Sequence, residues 1–205
     1  KKRFREAVEA FGFGAKEGIP LDTEVGGNIE SLSRNADERF DCYTATGAFG
    51  QGLTVTPLQM IAAISAIVNN GVLMKPYIVE EIRSSDGQVE KTKPMAIRRV
   101  ISAQAAALTQ AMMVSVVEKG QGKPAKVPGY LVGGKTGTAQ IAGPGGYTEE
   151  TNHTFVGFAP ADDPKFVMLI KFEKPERKYA DSTAAPLFAK IAKFMLEYYQ
   201  IPKSR

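Results

Sequence analysis

An α+β fold built on one antiparallel sheet is expected from three features of this 205-residue chain. Three strand candidates, Tyr130 to Ile141, Thr154 to Ala159 and Lys165 to Phe172, follow one another across short Gly- and Asp-containing connections, the pattern of an antiparallel meander. Capped helical segments precede them. After them, Ala184 to Tyr199 places Leu187, Ile191, Phe194, Met195 and Tyr198 on one helical stripe. The length fits one domain or a large piece of one, and 43% apolar residues are adequate for a core.

Taken in order, Phe4, Val8 and Phe11 have helical spacing that stops at Gly12-Phe-Gly14. Residues 15 to 53 are rich in Gly, Asn, Asp and Ser and read as extended, irregular chain. Thr56-Pro57 combines a capping hydroxyl with a proline in the first helical turn, and the helix it opens runs to Asn69-Asn70-Gly71. Val72 to Val79, interrupted by Pro76, is a short extended piece, and Ile82 to Val89 is a small hairpin turning at Asp86-Gly87. Ser102 caps a second long helix that ends at Gly120. Met60, Met112 and Met113 read as core fillers, Cys42 as a small buried hydrophobe and His153 as a packing residue at a strand end.

Composition excludes several function classes. The net charge of +4 is mild and spread along the chain, and the densest basic run, Lys1-Lys2-Arg3, reads as a solvated helix start, so no nucleic-acid partner is expected. One cysteine and one histidine leave no intrachain disulfide and no metal-ligand cluster, and no cofactor is expected. The chain opens with Lys, Phe4 to Phe11 is too charged for a signal segment, and the longest apolar run, Met60 to Val68, is too short to span a bilayer.

The most informative stretch is Gly133-Gly-Lys-Thr-Gly-Thr-Ala-Gln140. Its first residues complete Gly129-Tyr-Leu-Val-Gly-Gly134-Lys135-Thr136, which matches the nucleotide-binding pattern G-x-x-x-x-G-K-[ST]. The context contradicts that reading. A phosphate loop follows a buried strand and opens a helix. Here a turn-rich stretch, Gly120 to Pro128, precedes the motif, and Gly137, Gly143, Pro144, Gly145 and Gly146 would break any helix after it. The same letters hold Lys135-Thr136-Gly137, the third signature of the penicillin-recognising serine transpeptidases.

Further segments point the same way: Ala10-Phe-Gly-Phe-Gly14 with Gly18-Ile-Pro-Leu21, Gly50-Gln-Gly-Leu-Thr-Val-Thr-Pro-Leu-Gln59, and Gly71-Val-Leu-Met-Lys-Pro76. Pro128 to Gln140, Phe155-Val-Gly-Phe-Ala-Pro160 and Ala184-Ala-Pro186 continue the series. With these residues in this order, the chain resembles the C-terminal part of the transpeptidase domain of class B penicillin-binding proteins. The likeness extends over nearly all of residues 1–205. The β-lactamase branch shares Lys-Thr-Gly but lacks the surrounding segments.

That resemblance implies a penicillin-binding/β-lactamase-like fold and a serine D,D-transpeptidase that cross-links peptidoglycan stem peptides through an acyl-enzyme and is a target of β-lactams. It also implies a parent anchored at the extracytoplasmic face of the bacterial membrane, in a cell-wall synthesis complex. Such enzymes use a nucleophilic Ser in Ser-x-x-Lys and a second Ser-x-Asn. None of the nine serines has a Lys three positions later, so the attacking oxygen is expected from an upstream partner segment of the same domain. Ser33-Arg34-Asn35 matches Ser-x-Asn in letters but follows the Phe-Gly-Phe-Gly segment, whereas the family's motif precedes it; it reads as a loop coincidence.

Among the residues present, the resemblance gives catalytic roles to Lys135, Gly137 and Thr138. The Thr138 N–H would be an oxyanion donor, Gly137 would admit a close peptide, and Lys135 would hold a substrate carboxylate and bias proton transfer. Thr136 and Gln140 fit substrate binding and ordinary strand packing equally. Gln51, between two glycines, borders the cleft or simply turns the chain, and Tyr147 to Asn152 are expected in a loop after the Lys-Thr-Gly strand. A strand contributed from earlier in the family's chain would cover the outer edge of Lys165 to Phe172, which is otherwise bare. The alternative function is a non-catalytic module of the same fold that binds wall peptides or assembles the machinery.

Overall fold

The structure, a computed structural model, describes residues 2–33 and 41–204. Helix α1 (Lys2–Ala10) ends where Gly12 begins a glycine-punctuated loop, as the spacing predicts. The next segment is less irregular than expected. It contains a 3-10 turn at Glu30–Ser33 and a short helix α2 (Cys42–Ala48). The cause is local: the Asp41 carboxylate accepts from the Thr44 N–H at 2.8 Å and from its hydroxyl at 2.9 Å, a cap that outweighs the poor propensity of Tyr-Thr-Ala-Thr-Gly. Cys42, expected inside, is exposed beside that cap. Asn35 lies outside the described residues, so the Ser33-x-Asn35 coincidence has no structural account.

Helix α3 (Pro57–Val68) has the capping box its sequence announces, with Thr56 and Gln59 exchanging side-chain-to-backbone hydrogen bonds. Gln59 does more than cap. It is fully buried, and its amide donates at 2.7 Å to both the Ala15 and Gly26 carbonyls, pinning the loop before α2 onto the helix. Gln59→Leu keeps the volume and strands those carbonyls and the Thr56 N–H. We expect it to destabilise the fold by roughly 2–4 kcal/mol, read as a lower denaturant midpoint with unchanged slope.

Strands β1 (Val72–Met74), β2 (Glu81–Arg83) and β3 (Val89–Lys91) follow; β2 and β3 form the expected hairpin, with Gly87 at φ +85° in its turn. Strand β4 (Ala96–Arg99) was not legible in the sequence, because all four residues are exposed and carry no alternation. It pairs antiparallel with β1 around a bulge at Leu73/Met74. Helix α4 (Ala103–Lys119) begins at the Ser102 cap and stops at Gly120. Of the methionines expected as core fillers, Met113 is buried, Met60 is partly buried and Met112 is exposed on the outer side of α4.

The main sheet is β5 (Gly133–Gly143), β6 (Gly146–Ala159) and β7 (Phe166–Glu173) in that order, antiparallel throughout. The fold is therefore the α+β meander expected from the sequence, with two small two-stranded sheets added. Strand β6 is longer than predicted. Gly143 pairs with Gly146 across a two-residue turn, Pro144-Gly145, so Tyr147 to Asn152 belong to the strand rather than to a loop. These residues are polar on both faces and held by pairing to β5, so no hydrophobic period betrays them.

Helix α5 (Ala184–Tyr198) packs on the sheet, but not by the stripe expected. Its buried residues are Ala184, Ala185, Phe188, Ala192 and Leu196; Leu187, Ile191 and Met195 flank them, while Phe194 and Tyr198 are 66% and 69% exposed. Close approach explains the shift. The Phe155 and Phe188 rings lie 4.8 Å apart, and the Gly157 backbone leaves about 3.0 Å between a would-be Cβ and Phe188, so alanines fill the rest of the contact. The core joins this helix to Val117, Val127, Tyr130, Val132 and Phe155.

Candidate active site

Strand β5 is an edge strand: among the described residues only β6 pairs with it. Lys135 stands within this strand, which continues to Gly143 instead of opening into a helix, so the phosphate-loop geometry is absent. The Lys135 ammonium donates to the Thr136 carbonyl at 2.8 Å. That contact marks the Thr136 carbonyl as turned away from β6, and the alternation along an antiparallel strand turns the Thr138 N–H outward in the same way. The strand thus presents an open donor and acceptor row beside a cation.

Alternation also divides the candidates. Lys135 and Gly137 point to one face, and Thr136, Thr138 and Gln140 to the other. On the second face is a cavity of about 660 Å³, lined by Thr138 and Gln140 of β5, Thr151 of β6, Gln51 from the loop before α3, and Lys178 and Tyr179 from the segment after β7. Gln51 therefore borders the cleft. Lys135, Thr136 and Gly137 lie on the adjoining stretch of the same edge and do not line the cavity. The Gln140 amide donates to the Thr148 carbonyl at 3.3 Å, and Lys174 pairs with Glu150 at 2.7 Å at the cavity rim.

Glycine at Gly133, Gly134 and Gly137 has a packing reason. A Cβ on them would fall 2.2 Å from the Phe158 ring, 2.4 Å from the Phe155 ring and 2.4 Å from the Thr154 hydroxyl. Phe155 and Phe158 fill opposite faces of a regular β6, so the paired glycines let β5 lie over both rings.

Sequence reading missed the segment that closes the cavity. After β7 the chain makes a 3-10 turn, Ala180–Ser182, whose Ala180 N–H donates to the Thr138 hydroxyl oxygen at 3.2 Å, across 42 residues of sequence. His153 is not a strand-end residue. It lies within β6 directly opposite Thr138, fully buried, with Nδ1 2.9 Å from the Thr183 hydroxyl and Nε2 3.0 Å from the Thr151 hydroxyl. No motif or spacing ties these residues to Lys-Thr-Gly.

Burial holds the His153 imidazole below the usual histidine value of 6.5, against smaller upward pulls from the Lys178 backbone and the Asp181 carboxylate. A depressed histidine takes up a proton more readily in the unfolded chain. Its contribution to stability is therefore whole above pH 6.5 and is lost as pH falls below that value, with a slope of at most about 1.4 kcal/mol per pH unit. Glu17 acts oppositely, its carboxyl being raised above 4.5 by burial and by Glu24. Equilibrium unfolding between pH 5 and 7 should show the histidine slope in the native sequence and not in His153→Gln.

The family model for the penicillin-binding protein transpeptidase domain matches residues 1–193. The chain belongs to that family. Among curated relatives of this transpeptidase family, stage V sporulation protein D of Bacillus subtilis is 41% identical over 197 residues, covering 93% of this chain and 30% of the relative. The probable peptidoglycan D,D-transpeptidase PbpC of Pseudomonas aeruginosa is 30% identical, covering 98% and 34%. A crystal structure of penicillin-binding protein 3 from Mycobacterium tuberculosis, complexed with ampicillin, superposes with a TM-score of 0.89 at 33% identity, over all of this chain and 47% of that one. The chain thus spans about a third of the length of these curated relatives.

Proposed function

We propose that this chain supplies the Lys-Thr-Gly side of the active site of a serine D,D-transpeptidase that cross-links peptidoglycan stem peptides and is acylated by β-lactams. The observation that carries the reading is the open β5 edge, with Lys135 and Thr138 beside a cavity, in a member of the transpeptidase family. The names of the relatives and the ampicillin complex support it. The 205 residues would form the C-terminal portion of one transpeptidase domain, completed by an upstream segment bearing Ser-x-x-Lys and Ser-x-Asn.

In that reaction the serine oxygen forms an ester with the stem-peptide carbonyl as the C–N bond breaks and the terminal residue leaves with a proton. An acceptor amine then takes the acyl group and frees the serine. An extended stem peptide pairs along β5 as an added strand. The outward Thr138 N–H meets the developing oxyanion together with the serine's own N–H. Thr138 Oγ accepts from Ala180, so its own proton is left to donate to the substrate carboxylate, which Lys135 also attracts. Gly137 leaves room for the peptide, and Thr136 and Gln140 contact its backbone. Because stem peptides lie outside the cytoplasmic membrane, we place the protein at its outer face, within a wall-synthesis complex.

Fluorescent penicillin tests this. Labelling is expected when the chain is joined to, or co-expressed with, the Ser-x-x-Lys segment, and not for the chain alone. No labelling in either form would favour the non-catalytic module, and labelling of the chain alone would overturn the upstream nucleophile.

A further inference from the structure

Thr138 and His153 face each other across the β5–β6 pair. Each holds one end of the same short segment: Thr138 accepts from the Ala180 N–H, and His153 binds the Thr183 hydroxyl at the start of α5. The two residues just before that segment, Lys178 and Tyr179, line the cavity wall. This is a four-point clasp, two points on the sheet and two on the turn.

We propose that His153 is a positioning residue of the acylation site: through Thr183 it seats the Ala180–Ser182 turn against β5, so that the Ala180 N–H fixes the Thr138 hydroxyl as a donor to the substrate carboxylate. The inference rests on the transpeptidase reading above. His153 touches no substrate, being fully buried. Its two ring nitrogens are satisfied by two hydroxyls, each able to donate or accept, so the neutral ring fits in either tautomer. Without the His153 anchor, Ala180 would separate from Thr138, and the threonine hydroxyl would be free to turn its lone pairs toward an anion. Three features of the surroundings bear on its charge: the Asp181 carboxylate on the turn, the Lys178 backbone in the preceding segment, and β7, where the directly paired residue is the apolar Phe172. The flanking Lys171 and Glu173 pair with each other on the opposite face of β7.

His153→Phe keeps the ring and removes both hydrogen bonds, and Thr183→Val cuts the clasp from the other side. In the polypeptide that includes the Ser-x-x-Lys segment, both should lower the second-order rate of penicillin acylation roughly tenfold to a hundredfold, the scale of one hydrogen bond to a charged group. The loss should lie in pre-covalent binding rather than in the acylation step. In a Thr138→Val background, adding His153→Phe should cost little more, because both act through the same hydroxyl. Amide exchange at Ala180 should accelerate in both variants, and this readout does not require activity. The proposal is overturned if Ala180 exchange is unchanged in both variants, or if the Thr138→Val and His153→Phe losses simply add. Should the native polypeptide fail to label at all while Ala180 exchange responds as expected, the clasp stands and the transpeptidase reading falls.

Discussion

Lys135→Ala is expected to lower the rate of β-lactam acylation by about 10²–10⁴-fold in the polypeptide that carries the nucleophile, the range of a positioned group that assists proton transfer. The fold should hardly notice. Lys135 is exposed, and its ammonium donates to the Thr136 carbonyl without carrying a buried load, so its truncation belongs with surface changes within about 0.5 kcal/mol. Lys135→Arg preserves the charge but replaces a compact ammonium with a planar fork, and should recover binding of the carboxylate better than it recovers the chemical step. Stopped-flow acylation together with thermal unfolding measures both quantities. A Lys135→Ala protein that acylates at the native rate would mean that this lysine is a solvated strand residue and that the chemistry lies elsewhere.

The second large effect is structural. Phe155→Ala should cost about 3–5 kcal/mol, because it empties a fully buried site where the ring packs on Phe188 and over Gly134. For a chain of this size that corresponds to a fall in Tm of roughly 6–20 °C. Phe194→Ala is the informative control. The sequence pattern places Phe194 on the buried stripe of α5, whereas the structure leaves it 66% exposed, so its loss should stay near 0.5 kcal/mol. Equal losses at Phe155 and Phe194 would show that α5 is rotated from the orientation described.

These contrasts show where sequence reading stops. The caps at Thr56 and Ser102 and the Asp86-Gly87 turn are decided within a few residues, and each is found where the letters put it. The Asp41 cap is equally local but opens a helix too short and too rich in β-branched residues to stand out. Strand β4 and the first half of β6 lack any period, since their pairing comes from partners 20 or more residues away or from a turn whose extent the letters leave open. On α5 a regular apolar stripe was present and misleading. Large side chains cannot approach a sheet as closely as alanines, so the tighter-packing face won.

The motif around Lys135, the absence of Ser-x-x-Lys and the order of the three main strands were decided by the sequence itself, because composition, spacing and short connections act over neighbouring residues. Only the tertiary structure decided that Thr138, His153, Ala180 and Thr183 form one clasp, that Gln51 reaches the same cavity and that α5 turns Phe194 outward. Those outcomes depend on how closely surfaces distant in the chain can approach, and no local pattern encodes that distance.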